Sequence, residues 1–166
     1  MSEVFLEWIV KAKTTTLGIA ARIGGILLVI IAVLSFVILG IYSMIAVFFT
    51  GFLLYKIWQW TNIEYEYSFL TGELDIDMIM GQNSRKRVFS ISINDTEIIA
   101  HEKSDRIAYF NNPDVTVIDY STGIPSDDKY VIAANLDGKK TKVIFEPNRK
   151  MIEAMRELAP NKVFLG

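Results

Sequence analysis

The sequence contains no cysteine, one histidine and four prolines. Without cysteine there can be no disulfide, no thiolate metal site and no lipid-modified cysteine anchor. With His101 as the single histidine, a Ser/His/Asp or zinc assembly would hang on one residue in a loop. No glycine-rich phosphate loop is present: Gly24-Gly25 lies in an apolar segment and Gly138 in a turn. The most telling absence is of charge. From Ile23 to Tyr55, between Arg22 and Lys56, there is no Asp, Glu, Lys, Arg or His. A charge at a bilayer centre costs roughly 2.5–3.5 kcal/mol on insertion scales, so a clean run of this length reads as membrane-embedded.

One helix over that run would be roughly 50 Å long, against a hydrocarbon core of about 30 Å. The apolar character extends from Thr16 to Trp60, which leaves room for two helices, Thr16–Ile38 and Tyr42–Trp60, turning at Leu39–Ile41 around Gly40. A single tilted span is the alternative. Lys11, Lys13 and Arg22 flank the first helix and Lys56 the second, while the turn has no positive charge, so both ends are expected in the cytoplasm. Arg22 is expected to snorkel to the headgroups, and Tyr55, Lys56, Trp58 and Trp60 to form an interfacial belt. Ala20, Ala21, Gly24 and Gly25 place small residues four apart, a pattern that lets a second helix or another protomer approach closely. The first ten residues hold two Glu and no basic residue, a poor match to a cleaved signal peptide, so the helices are expected to stay as anchors.

Ser2–Lys13 carries Glu3, Glu7 and Lys11 at spacing four, with Phe5, Trp8, Ile9 and Ala12 on the other face. This predicts an amphipathic interfacial helix over residues 1–15, capped by Ser2, with Trp8 dipping into the interface. From Thr61 the period becomes two. Ile63–Leu70 and Glu73–Met78 flank the turn Thr71-Gly72, and further strands are predicted at Lys86–Ile93, Glu97–Ala100, Val115–Tyr120, Tyr130–Asn135 and Lys139–Phe145. Asp137-Gly138 marks a two-residue hairpin. A C-terminal helix follows, with Pro147 in its first turn and Met151, Ile152, Met155 and Leu158 as its apolar stripe.

Seven antiparallel strands and a closing helix form the element order of a PH-like domain, a bent barrel whose open end the helix caps; a five-stranded OB-like barrel is the alternative. The sequence also resembles a family of short bacterial membrane proteins in which two transmembrane helices precede a bacterial PH-like β domain. The resemblance rests on Glu64-Tyr65-Glu66-Tyr67, on Thr71-Gly72-Glu73-Leu74-Asp75-Ile76-Asp77 and on Arg85-Lys86-Arg87. It implies binding or assembly rather than catalysis, and it carries over no functional residue. The expected organisation is therefore an interfacial helix over 1–15, a two-helix transmembrane hairpin over 16–60 and a cytoplasmic PH-like domain over 61–166.

Candidate chemistry is sparse. Arg85, Lys86 and Arg87 could contact anionic lipid headgroups, worth about 1 kcal/mol per basic residue near the surface. The competing reading pairs them with Glu64, Glu66, Asp75 and Asp77, whose alternation marks the wet side of a sheet rather than a metal site. Residues 61–166 carry thirteen Lys/Arg against seventeen Asp/Glu, which disfavours nucleic acid as a partner. No catalytic residue, metal or cofactor is expected. The predicted function is a membrane-anchored interaction module, binding protein, peptide or lipid headgroups at the inner leaflet. The alternative is an accessory or regulatory subunit of a membrane complex, a transporter or membrane protease, assembled through the hairpin. Expected partners are the lipid bilayer and a protein or second copy at the hairpin.

Overall fold

The computed structural model describes residues 5–165; the predicted Ser2 cap and Glu3 lie outside them. The chain divides into two compact units, Met1–Ala12 with Glu64–Met78 and Arg85–Gly166, and Lys13–Ile63 with Ile79–Ser84.

The first unit is β-rich and opens with a correction. Phe5–Lys11 is a strand, β1, not an interfacial helix. It pairs antiparallel with β2, Ile63–Leu70, from Phe5 opposite Leu70 to Lys11 opposite Glu64. Spacing four suits both periods, because Glu7 and Lys11 share one face of a helix and one face of a strand. Isoleucine, valine and tryptophan favour the strand, and the open flank of β2 supplies the ladder that a lone helix would lack. Val10 is accordingly buried. Two further strands, β3 (Glu73–Met80) and β4 (Ser84–Ser92), complete a sheet in the order β1-β2-β3-β4. Thr71 and Gly72 both take positive φ in the β2–β3 turn, as do Asp137 and Gly138 in the later hairpin, the conformation that two-residue hairpin turns require.

The second sheet contains β5 (Thr96–His101), β6 (Thr116–Asp119), β7 (Tyr130–Leu136), β8 (Lys139–Phe145) and β9 (Val163–Phe164), in the order β6-β8-β7-β5-β9. It corrects the antiparallel barrel. The described strands form two sheets with no closed barrel, and both β6–β8 and β5–β9 are parallel. The long connection after β6 lets the chain step past β8 before β7 begins, and the apolar tail at Val163 finishes as an edge strand on Ile99.

A ten-residue helix, Arg149–Leu158, packs Met151, Ile152 and Met155 into a core shared with Tyr67, Phe69, Leu74 and Ile76 of the first sheet and Ile99, Ile132 and Val143 of the second. Its cap is Asn148, whose side-chain oxygen accepts from Met151 N at 2.8 Å, so Pro147 precedes the cap rather than occupying the first turn. Leu158, expected in the apolar stripe, is exposed. The Tyr67 hydroxyl donates to Tyr120 O at 2.6 Å and accepts from Glu146 N at 3.2 Å. This buried side chain ties β2 to segments flanking the second sheet, and burial raises its pKa well above the ordinary phenol range.

The other unit is helical: α1 (Thr16–Leu34), α2 (Phe36–Leu39), a 3-10 turn at Gly40–Tyr42, and α3 (Ser43–Thr61); the C-terminal helix is α4. Gly40 takes φ +57 where the chain reverses, a conformation open to glycine and costly for most other residues. Helices α1 and α3 run antiparallel, with Gly18 beside Thr61 and Gly25 beside Leu54 and Ile57. The loop between β3 and β4 belongs to this unit, and Gly81 N donates to Asn62 O at 2.9 Å at the end of α3.

Candidate functional site

In β4 Arg85 and Arg87 lie on the acidic face that β2 and β3 build, although Phe89 and Ile91, of the same parity, are buried, so the strand's alternation shifts by one residue between Arg87 and Phe89. Arg85 lies 2.8 Å from Glu66 and 2.7 Å from Asp77, and Arg87 lies 3.0 Å from Asp75 and 3.5 Å from Asp77. Ser90 donates to the same Asp75 at 2.6 Å. Glu66 and Asp77 are only 6% and 8% exposed, covered by arginine side chains that are themselves about half exposed. The hydrogen bond to Asp77 is the largest influence raising the Arg85 pKa. Lys86 is exposed and forms no ion pair among the described residues. Of the basic run proposed for lipid headgroups, two members are thus committed to carboxylates.

In the helical unit Arg22 does not extend outward. A helical side chain leans toward its own N-terminus, and from the second turn of α1 this carries the guanidinium to the end of α3. There Nε donates to Thr61 Oγ1 at 2.7 Å, and the group sits 4.6 Å from the Trp58 ring centroid. Tyr55 accepts from Gln59 Nε2 at 2.9 Å, Lys56 lies 5.7 Å from the Phe52 ring centroid, and Trp60 is exposed.

The buried positions of α1 are Gly18, Gly25 and Ala32, seven apart. A Cβ on Gly25 would meet Leu54 at 2.8 Å, whereas one on Gly24 would meet nothing within 4 Å. Ala20 is exposed and Ala21 partly buried. Of the four proposed packing residues, Gly25 makes the close contact within the chain, while Ala20 and Gly24 do not face α3.

A feature the sequence did not signal is an open groove of about 370 Å³ at the start of α4, lined by Asp128, Tyr130, Pro147, Arg149, Ile152 and Leu165. A neighbouring depression continues past Pro147 to Trp8 and Val10. These residues come from distant parts of the chain and share no local motif, so only the fold brings them together. Arg149 is held by Glu153 at 2.7 Å. The single histidine, expected in a loop, is instead the last residue of β5, opposite Tyr130, and its ring is engaged there: Nε2 lies 2.6 Å from Asp127 O, and Lys103 N donates to Nδ1 at 3.2 Å. Among the described residues no group of three or more His, Asp or Glu is placed to hold a metal ion.

The family described as "Bacterial PH-like domain (DUF6106)" matches residues 2–165 of the chain. No curated protein and no solved structure matches it.

Proposed function

We propose, from the premise that the chain belongs to this bacterial PH-like domain family, that it is a membrane-anchored interaction module without enzymatic activity. A PH-like domain suggests interaction, and the anchor is argued from one observation. The charge-free helices lie between two strands, β1 and β2, that pair residue for residue, with Lys11 opposite Glu64. Both ends of the helical segment therefore emerge on one side of any membrane it enters. That supports two crossings and speaks against a single tilted span. The outward side chains agree: Val37 and Ile38, next to the reversal, are 88% and 86% exposed, a state suited to lipid rather than water. The positive residues at the helix ends favour a cytoplasmic PH-like domain. There Lys86 and the groove beside Trp8 are the surfaces offered to headgroups and to a protein or peptide. Arg85 and Arg87 serve mainly to hold the sheet.

A second reading, an accessory subunit of a membrane complex, is favoured by Ala20 and Gly24. They leave a shallow strip on α1 that α3 does not use, of the kind a foreign helix packs against.

Because the chain has no native thiol, single cysteines report topology cleanly. Tyr42→Cys at the reversal should react with an impermeant thiol reagent added to intact cells, and Lys139→Cys in the β7–β8 turn only after lysis. Labelling of Lys139→Cys from outside would overturn the orientation. Extraction of the whole chain from membranes by alkaline carbonate would overturn the anchor.

A further inference from the structure

We propose that the free edge of β1 is a self-recognition surface, through which two copies of the chain pair antiparallel about Ile9 and continue the four-stranded sheet across a twofold axis.

An exposed strand edge is a row of unpaired backbone donors and acceptors, and folded proteins usually shorten, charge or bend such edges. The edges of the second sheet, β6 and β9, have four and two residues. The far edge of the first sheet, β4, carries Arg85-Lys86-Arg87. β1 is neither short nor bent, and its two charges, Glu7 and Lys11, are of opposite sign. It runs for seven residues, contains no proline, and pairs with β2 in unbroken register. Phe5, Trp8 and Ile9 remain 56%, 41% and 52% exposed along it.

Its sequence also specifies a partner. A twofold axis normal to the sheet keeps each side chain on its own face, so facing residues must share parity. Centred on Trp8, the pairing sets Glu7 against Ile9 and Phe5 against Lys11. Centred on Val10, it sets Lys11 against Ile9 and leaves Glu7 facing Lys13, beyond the strand. Centred on Ile9, it sets Glu7 of each copy against Lys11 of the other, Ile9 against Ile9, and Trp8 against Val10. Opposite charges and apolar pairs directly across strands favour this register over the others. Glu7 and Lys11 form no ion pair among the described residues, so both are available. The occupant that fits β1 is a second β1.

The test uses the full chain in mild detergent. Glu7 and Lys11 lie four residues apart on one strand, about 13 Å, too far for a zero-length carbodiimide to join them within a copy. A Glu7–Lys11 amide found by mass spectrometry in a dimer band is therefore the expected product. A sole product linking Lys11 to Glu64 overturns the proposal. Facing Cα atoms in an antiparallel pair are about 4.5–5.5 Å apart, within disulfide range. Ile9→Cys should thus oxidise to a covalent dimer well ahead of Trp8→Cys or Tyr42→Cys. Equal or faster dimer formation by Trp8→Cys would mean another register, and by Tyr42→Cys a helix-mediated contact; either overturns the proposal. In the Ile9→Cys background, Glu7→Lys or Lys11→Glu should slow dimer formation roughly five-fold or more, and the two together should restore it. Failure of the double exchange to restore dimers, with thermal unfolding unchanged, also overturns it.

Discussion

Asp77 bridges Arg85 and Arg87, while Glu66 has Arg85 as its ionic partner. Replacing Arg85 by Gln leaves a nearly buried Glu66 without a countercharge. Thermal or urea unfolding should register a loss of about 1–3 kcal/mol, less than a deeply buried pair would cost because the Arg85 side chain is about half exposed. Lys86→Gln should stay within about 0.5 kcal/mol of the parent. Equal costs would mean that the ionic cluster does not stabilise the sheet. The division was partly legible beforehand. Alternating acids on two strands beside a basic run forecast the pairing, but unbroken parity would have set Arg85 and Arg87 on the buried side with Phe89 and Ile91, and the one-residue shift that turns them to the acids has no local signal. Which carboxylates become buried depends on how the guanidiniums lie across the sheet, which no local pattern encodes. Tyr67 gives a second prediction at this scale. Burial raises its pKa above that of an unfolded phenol, about 10, so the folded state keeps a proton that the unfolded chain releases. Its contribution is complete below about pH 10 and is lost as pH rises from there toward the folded value. Tyr67→Phe should flatten the alkaline fall in stability, followed by urea unfolding between pH 9 and 11. The slope should persist in part, because burial also raises Tyr65 and Tyr120. An unchanged slope would mean that Tyr67 does not hold its proton.

The elements that could be read from the sequence are those whose local signals agree. β2 and β3 alternate cleanly around Thr71-Gly72, β7 and β8 meet at Asp137-Gly138, and α4 carries three buried residues at helical spacing. Each had a period, a turn residue and a length pointing the same way. β1 was misread because seven residues with charges four apart satisfy either period, and the deciding partner lies across the entire helical segment. β9 is two residues long and exists only because Ile99 and Ala100 offer an edge. The parallel pairing of β6 with β8 escaped for a related reason: alternation reveals which face of a strand is buried but not the direction of its neighbour. In the helical unit Gly40 stands at the reversal, and of the small residues four apart Gly25 makes the close contact with α3. The sequence pattern emphasised neighbours four apart, whereas the antiparallel contact selects Gly18, Gly25 and Ala32 at heptad spacing, the repeat that keeps two gently crossing helices in register.

At the scale of the whole chain, the helical segment is inserted in sequence between β1 and β2, two strands that pair within the β-rich unit. Lys11 and Glu64 face each other across the ladder, and everything between them departs from and returns to one point of the sheet. The domain that begins at residue 61 is therefore incomplete. Without β1, the flank of β2 opens, Val10 leaves the core cluster, and Leu6 no longer packs against it. Burying one Val or Leu side chain is worth about 1.5–3 kcal/mol, and a lost ladder adds to that, against a total stability of about 5–15 kcal/mol for a domain. Residues 61–166 alone should be aggregation-prone or unfold without a sharp transition. A chain in which Lys11 is joined to Glu64 by a short loop containing Asn-Gly, replacing residues 12–63, should instead be soluble without detergent and unfold cooperatively. Facing strands need only about two to five residues to connect them. Circular dichroism melts and amide NMR dispersion compare the two directly. A sharp transition and well-dispersed spectrum from residues 61–166 alone, equal to those of the loop-joined chain, would show that β1 is an accessory to the fold rather than part of it.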